Sequence, residues 1–135
     1  MKTITTEATI RNIETVTAFV DRELEALGCP LRPLMQIRVV IDEIVSNIAR
    51  DAYAPGTGSV TVQFAFDEKD RTVSLTFVDE GIPFDPLQQE EPDISLPAAK
   101  RKIGGLGILL VRKTMDEVTY RREDGKNILC LRKRI

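Results

Sequence analysis

The sequence predicts an α+β domain, and three observations carry that reading. Apolar residues recur at helical spacing between Leu34 and Ala52, and the period drops to two after a breaker cluster at Ala54-Pro55-Gly56-Thr57-Gly58. The two halves of the chain then supply strands and helices in the order β-α-α-β-β-lid-α-β-β, with no internal repeat and no low-complexity segment.

The chain opens with Thr3 to Ile10, loosely alternating and rich in threonine, which suits an edge or interface strand. Asn12 or Thr15 caps a first helix carrying Ile13, Val16, Phe19, Val20, Leu24 and Leu27, and Gly28 followed by Pro30 stops it. Pro33 lies in the first turn of the next helix, where the missing N–H does no harm. That second helix runs through Gln36 to Tyr53. At roughly 100° per residue, Leu34, Ile37, Ile41, Ile44, Val45, Ile48 and Ala52 form a core stripe about 120° wide. Glu43 and Asn47 fall nearly opposite, one turn apart, so their side chains converge on one object. A carboxylate and an amide oxygen at that spacing suit a base beside a hard cation, and equally a solvated face. Val39 and Val40 also lie off the stripe, which suggests that something covers them.

Val60, Val62, Phe64 and Phe66 alternate with polar or small residues, Glu68-Lys69-Asp70-Arg71 turns, and Val73, Leu75 and Phe77 return as the second arm of a hairpin. The arm runs out at Asp79-Glu80-Gly81. This tripeptide is good turn chemistry, and it can also place an acceptor at the floor of a pocket beside a glycine that admits a planar ring, with Pro83-Phe84 as a wall. From Gly81 to Gly104 the period vanishes among four prolines, as in a lid. Gly104-Gly105-Leu106-Gly107 then opens a helix carrying Ile108, Leu109, Val111 and Met115. Its amides and dipole favour anions, and Lys100-Arg101-Lys102 adds positive charge just before it; a flexible helix start with a solvated basic run is the plainer account. The spacing matches neither a dinucleotide fingerprint nor a P-loop. Glu117 to Arg122 and Asn127 to Arg134 close the chain as strands joined by Glu123-Asp124-Gly125-Lys126.

Composition bounds the chemistry. The 135 residues suit one domain, 1–135, which buries roughly two thirds of its unfolded surface. With 42% hydrophobic and 30% charged residues, no apolar run long enough for a membrane span and no signal-type N-terminus, a cytoplasmic protein is expected. The chain has no histidine, which removes serine-histidine triads, most zinc chemistry and histidine autophosphorylation. Cys29 and Cys130 are read as reduced thiols. A net charge of −2 gives no general attraction for nucleic acid, which weighs against an RNA-clamping loop of KH type at the glycine run.

An acid and an amide on a helix, then an aspartate and a glycine after a hairpin strand, then a lid and a glycine-rich helix start: in this order the motifs resemble the Bergerat-fold ATPases. Within that superfamily the chain is similar to the anti-sigma factor serine kinases of bacterial partner switching. Glu43-Ile44-Val45-Ser46-Asn47 matches the N-box, Asp79-Glu80-Gly81-Ile82-Pro83 the first glycine box and Gly105-Leu106-Gly107-Ile108 the second. The resemblance implies a two-layer α/β sandwich with a mixed, mostly antiparallel sheet, helices on one face and an ATP lid at about 81–104. It implies ATP and Mg²⁺ as cofactors, with Glu43 as general base, Asn47 as metal ligand and Asp79 reading the adenine amine. Gly81 and Pro83 line the adenine loop, Gly105, Leu106 and Gly107 face the phosphates, Lys102 or Arg101 neutralises charge, and Asn127 hydrogen bonds near the base. The implied partners are an anti-sigma factor antagonist as protein substrate, a sigma factor and a second copy of the chain, with neither nucleic acid nor membrane. A nucleotide-gated binding module without kinase activity is the alternative. Three departures from the family pattern stand out: Pro83 replaces a glycine, Lys126-Asn127-Ile128 replaces a glycine and threonine, and Asp51 stands where a basic residue often follows the N-box.

Overall fold

The computed structural model describes residues 1–88 and 105–135. Most of the expected lid, with Lys100, Arg101 and Lys102, lies outside the described residues. Strand β1 spans Lys2–Glu7, helix α1 Ile13–Ala26 and helix α2 Leu31–Asn47, continued by a π-helical turn over Ile48–Ala52. Strands β2 and β3 span Ser59–Asp67 and Thr72–Asp79, helix α3 Gly105–Thr114, and strands β4 and β5 Glu117–Glu123 and Lys126–Arg134.

Local chemistry sets the boundaries. The first strand stops at Glu7, short of the expected Ile10, because Asn12 Nδ2 donates to the Glu7 carbonyl (2.8 Å) and Asn12 N to Thr9 Oγ1 (3.3 Å). These bonds wind Ile10–Asn12 into a 3-10 turn that leads into α1. Gly28 N and Cys29 N close the far end of α1 on the carbonyls of Glu25 (3.0 Å) and Leu24 (3.1 Å), the paired bonds of a Schellman motif. Arg38 of α2 forks onto Asp21 of α1, with Nη2 at 2.8 Å and Nε at 3.0 Å, and so ties the two helices at the surface.

The sheet has the order β1-β2-β3-β5-β4, and every described pairing is antiparallel. The sheet is thus antiparallel throughout the described strands rather than mixed, and the two helices between β1 and β2 reverse the chain so that those two strands pair antiparallel. Register places Val62, Phe77 and Leu129 side by side and sets Asp79 opposite Asn127. On this face Val60, Val62, Leu75, Phe77 and Leu131 are buried, packed with Val16, Val20 and Leu24 of α1 and Ile37, Ile41 and Val45 of α2. Thr61, Gln63, Ser74 and Thr76 on the other face are only half-buried, so the helices cover one side. Val40 belongs to the core rather than to a wet face, because α3 packs against that flank of α2 and widens its buried arc; Val39 stays exposed. Among the described residues no helix is long and apolar enough to cross a membrane.

Candidate active site

Where α2 and its π turn diverge from the end of the sheet, a cleft opens to solvent. Ile44, Ile48, Phe77, Ile108 and Leu129 give it apolar walls, and Asn47, Asp51, Asp79, Tyr120 and Asn127 bring polar groups to it. Phe84 and Pro86 from the loop after β3 close one side, whereas Pro83, expected as part of that wall, points to solvent.

The inner end is a closed hydrogen-bond network. Asp79 and Asn127, facing each other across β3 and β5, are both buried. Asp79 Oδ1 accepts from Gly81 N and from Asn127 Nδ2, each at 2.9 Å. Asn127 Nδ2 also donates to the Ile82 carbonyl (2.7 Å), while its Oδ1 accepts from Tyr120 OH (2.6 Å) and Phe84 N (3.3 Å). All four hydrogen-bonding positions of that amide are thereby filled from within the protein. The Asp79 carboxylate is left with its second oxygen, which no donor reaches among the described residues.

Three further devices hold the loop that carries Gly81. Ile82 N donates to the Ala52 carbonyl at 2.9 Å, and a Cβ on Gly81 would overlap that carbonyl and the Ala52 Cβ, so only glycine allows the approach. Tyr53 OH donates to the Ser59 carbonyl (2.6 Å) and accepts from Glu80 N (2.7 Å), joining the end of the π turn to both arms of the hairpin. Arg122 Nη1 donates to the Gly81 carbonyl at 2.8 Å. The sequence assigns Tyr53, Tyr120 and Arg122 no role at the site, because their partners come from distant parts of the chain; an aromatic residue just before a glycine-rich breaker was the one local signal.

The outer end is open. Glu43 and Asn47 lie one turn apart on α2, and Gly107 of α3 is so close to Glu43 that a Cβ there would overlap the carboxylate. Gly105 and Leu106 form the first turn of α3, where unpaired amides and the helix dipole attract negative charge. Arg50 Nη2 donates to Asn47 Oδ1 at 2.9 Å and to Asp51 Oδ2 at 3.0 Å, and Nε lies 3.2 Å from both oxygens of Asp51. The hydrogen bond to Asp51 holds the Arg50 guanidinium above its usual range. Desolvation opposes this, and the charges of Asp51 and Glu43 add to it.

The structure thus lines one cleft with Asn47, Asp79 and Asn127, sets Gly81 behind Asp79 through its N–H, and places Glu43 against Gly107 next to the lining residues Ile44 and Ile108, while Lys102 lies outside the described residues. The Bordetella bronchiseptica serine/threonine-protein kinase BtrW is 33% identical over 90 residues, 67% of this chain and 63% of that protein. The anti-sigma F factor of Pasteuria penetrans is 25% identical over 96 residues, 71% of this chain and 64% of that protein. The chain therefore spans less than two thirds of the length of these two relatives. The crystal structure of the RsbU and RsbW domains of Rv1364c from Mycobacterium tuberculosis superposes with a TM-score of 0.68 at 20% identity, covering 99% of this chain and 32% of that one, a likeness of fold. Residues 6–133, nearly the whole described sheet and all three helices, match the family described as the histidine kinase-like ATPase domain, and to that family the chain belongs.

Proposed function

We propose that this chain is an ATP-dependent serine/threonine protein kinase and anti-sigma factor of a cytoplasmic partner-switching system, phosphorylating a serine of an anti-sigma factor antagonist. The observation that carries this reading is the cleft's polarity. One buried carboxylate oxygen is available at its apolar inner end, and a carboxylate stands beside a glycine-rich helix start at its open end. The names of the relatives, serine/threonine-protein kinase and anti-sigma factor, support the same activity.

The residues present fit ATP. The apolar walls of the cleft suit a planar ring, and the second oxygen of Asp79 is an acceptor for an exocyclic amine. Asn127 then serves by holding Asp79 and the 82–84 loop rather than by touching the base, since its amide is fully engaged. They also fit Mg²⁺ held largely by phosphate and water. Asn47 Oδ1 is a hard oxygen at the right end of the cleft, and among the described residues no cluster of three acidic, histidine or cysteine side chains builds a protein cage. Such an ion would neutralise the phosphates. Glu43 accepts the proton of the attacking serine hydroxyl, the amides of Gly105 to Gly107 face the phosphoryl oxygens, and Lys102 or Arg101 adds positive charge. A sigma factor is the second partner, and the threonine-rich edge strand β1 is the surface for a homodimer, which light scattering at micromolar concentration checks.

Incubation with labelled ATP, Mg²⁺ and a candidate antagonist should yield phosphoserine on the antagonist. Glu43→Ala should lower transfer about 10²- to 10⁴-fold while nucleotide still binds. Full activity of that variant would sink the assigned base. Nucleotide binding by the wild-type chain without transfer to any antagonist would leave a nucleotide-gated binding module in place of a kinase.

A further inference from the structure

Asp51 places a carboxylate on the lining of the cleft, one turn beyond Asn47. The structure shows what faces it. Its two oxygens are gripped by the Nε and Nη2 of Arg50, and the same Nη2 reaches Asn47 Oδ1 at 2.9 Å. Arg50 is thus fixed on one side by a charged fork, and the same Nη2 is shared with the amide oxygen of Asn47, a group suited to a hard cation. Two positive centres on one oxygen repel, so Arg50 has to release Asn47 before that oxygen can ligate a metal. The pair also offsets its own charge, and the Glu43 carboxylate acts on the same guanidinium.

We propose that Arg50, positioned by Asp51, is an internal counter-cation that occupies the metal-ligand oxygen of Asn47 and so sets how much divalent metal the nucleotide site requires. The inference rests on the nucleotide-binding reading above, with Asn47 as metal ligand. Asp51 is a positioning residue that acts only through Arg50. Both side chains are about half exposed, at 51% and 44%, so removing them changes a surface contact rather than the core.

The test is calorimetric binding of ADP at increasing Mg²⁺, from chelator-treated buffer upward, for the wild-type chain, Arg50→Ala, Asp51→Asn and Asp51→Glu. Formation of Mg²⁺–ADP in solution is the same for all four and cancels. Loss of one hydrogen bond to a neutral acceptor should lower the half-maximal Mg²⁺ concentration about two- to tenfold in Arg50→Ala. Asp51→Asn should move it the same way by less, and Asp51→Glu should restore it. A midpoint that is unchanged or higher in Arg50→Ala overturns the counter-cation role alone. Absence of ADP binding by the wild-type chain at every Mg²⁺ concentration overturns the nucleotide reading and this inference with it.

Discussion

The two ends of the cleft are built on opposite plans. At the inner end Asp79 and Asn127 are 6% and 5% exposed, and the donors and acceptors of the Asn127 amide are satisfied by fixed backbone and side-chain partners. At the outer end Glu43 and Asn47 are half-buried, and Arg50 and Asp51 form an exposed pair that can rearrange at little cost. A site that must discriminate one base from another gains from rigidity, because a mismatched ligand leaves buried groups unpaired. A site where phosphates and a protein hydroxyl come and go needs groups that change partners. The contrast predicts that substitutions at the inner end act on nucleotide affinity and stability together, and those at the outer end on transfer and on the Mg²⁺ requirement, with stability little changed.

Gly107→Ala should break the contrast most visibly. The added Cβ overlaps the Glu43 carboxylate, the far end of a flexible side chain, which can turn away without disturbing the helix. Displacing the base by about 1 Å should slow phosphoryl transfer about 10²-fold, with melting temperature and ADP affinity near wild type. A variant that instead fails to fold, by circular dichroism, would show the two helices to be packed more rigidly there than the outer end requires.

Asp79→Asn acts at the other end. The asparagine keeps its oxygen toward Gly81 N and Asn127 Nδ2, which turns its NH₂ into the cleft; on the role proposed for Asp79 it then meets the adenine amine donor to donor. ATP affinity should fall by about 2–3 kcal/mol, roughly 30- to 150-fold, in equilibrium titrations. A guanine nucleotide, which presents a carbonyl oxygen where adenine has its amine, should lose less than ATP does. An equal loss for both would remove Asp79 from base recognition.

Gly81→Ala meets backbone rather than a side-chain tip. Its Cβ runs into the carbonyl of Ala52, the group that accepts from Ile82 N, so the π turn and the loop have to part. Overpacking of this kind costs about 1–3 kcal/mol, to be read as a lower urea midpoint with unchanged slope. ATP affinity should drop in parallel, since the same shift pulls Gly81 N from Asp79. A stable variant with weakened binding would show the loop to be softer than its hydrogen bonds suggest.

Much of the outer end was legible in the sequence because its signals are local. Glu43 and Asn47 share a helix face by spacing alone, and Gly107 follows a glycine run at a helix start. The core stripe of α2 was legible for the same reason, and the expectation that something covers the apolar pair beside it holds for Val40, on the flank that α3 packs, and fails for Val39, which stays exposed. The inner end was legible only at Asp79 and Gly81, where turn chemistry is written in consecutive residues. Tyr120, Arg122 and the full engagement of Asn127 depend on which residues of β3, β4 and β5 stand opposite one another. Such register follows from the whole hydrophobic pattern and no short motif encodes it.

Tyr53 offers the finest distinction between the ends, because its effect on the inner network is separable by pH. Burial pushes its phenol above the ordinary value of 10.0; the hydrogen bond from Glu80 N opposes that, and the nearby charges of Asp79 and Glu80 reinforce it. The neutral phenol is the form that donates to the Ser59 carbonyl, and the folded protein keeps that proton at pH values where the unfolded chain has lost it. Between 10.0 and the raised folded value the native state binds more protons than the unfolded one, so the stabilisation is complete below pH 10.0 and declines as pH rises through that window. Tyr53→Phe should therefore cost about 1 kcal/mol in urea unfolding near neutral pH, from the loss of its hydrogen bonds. The gap between variant and wild type should narrow at pH above 10.0. A gap that stays constant there would mean that the hydroxyl proton contributes nothing to holding the hairpin to the π turn.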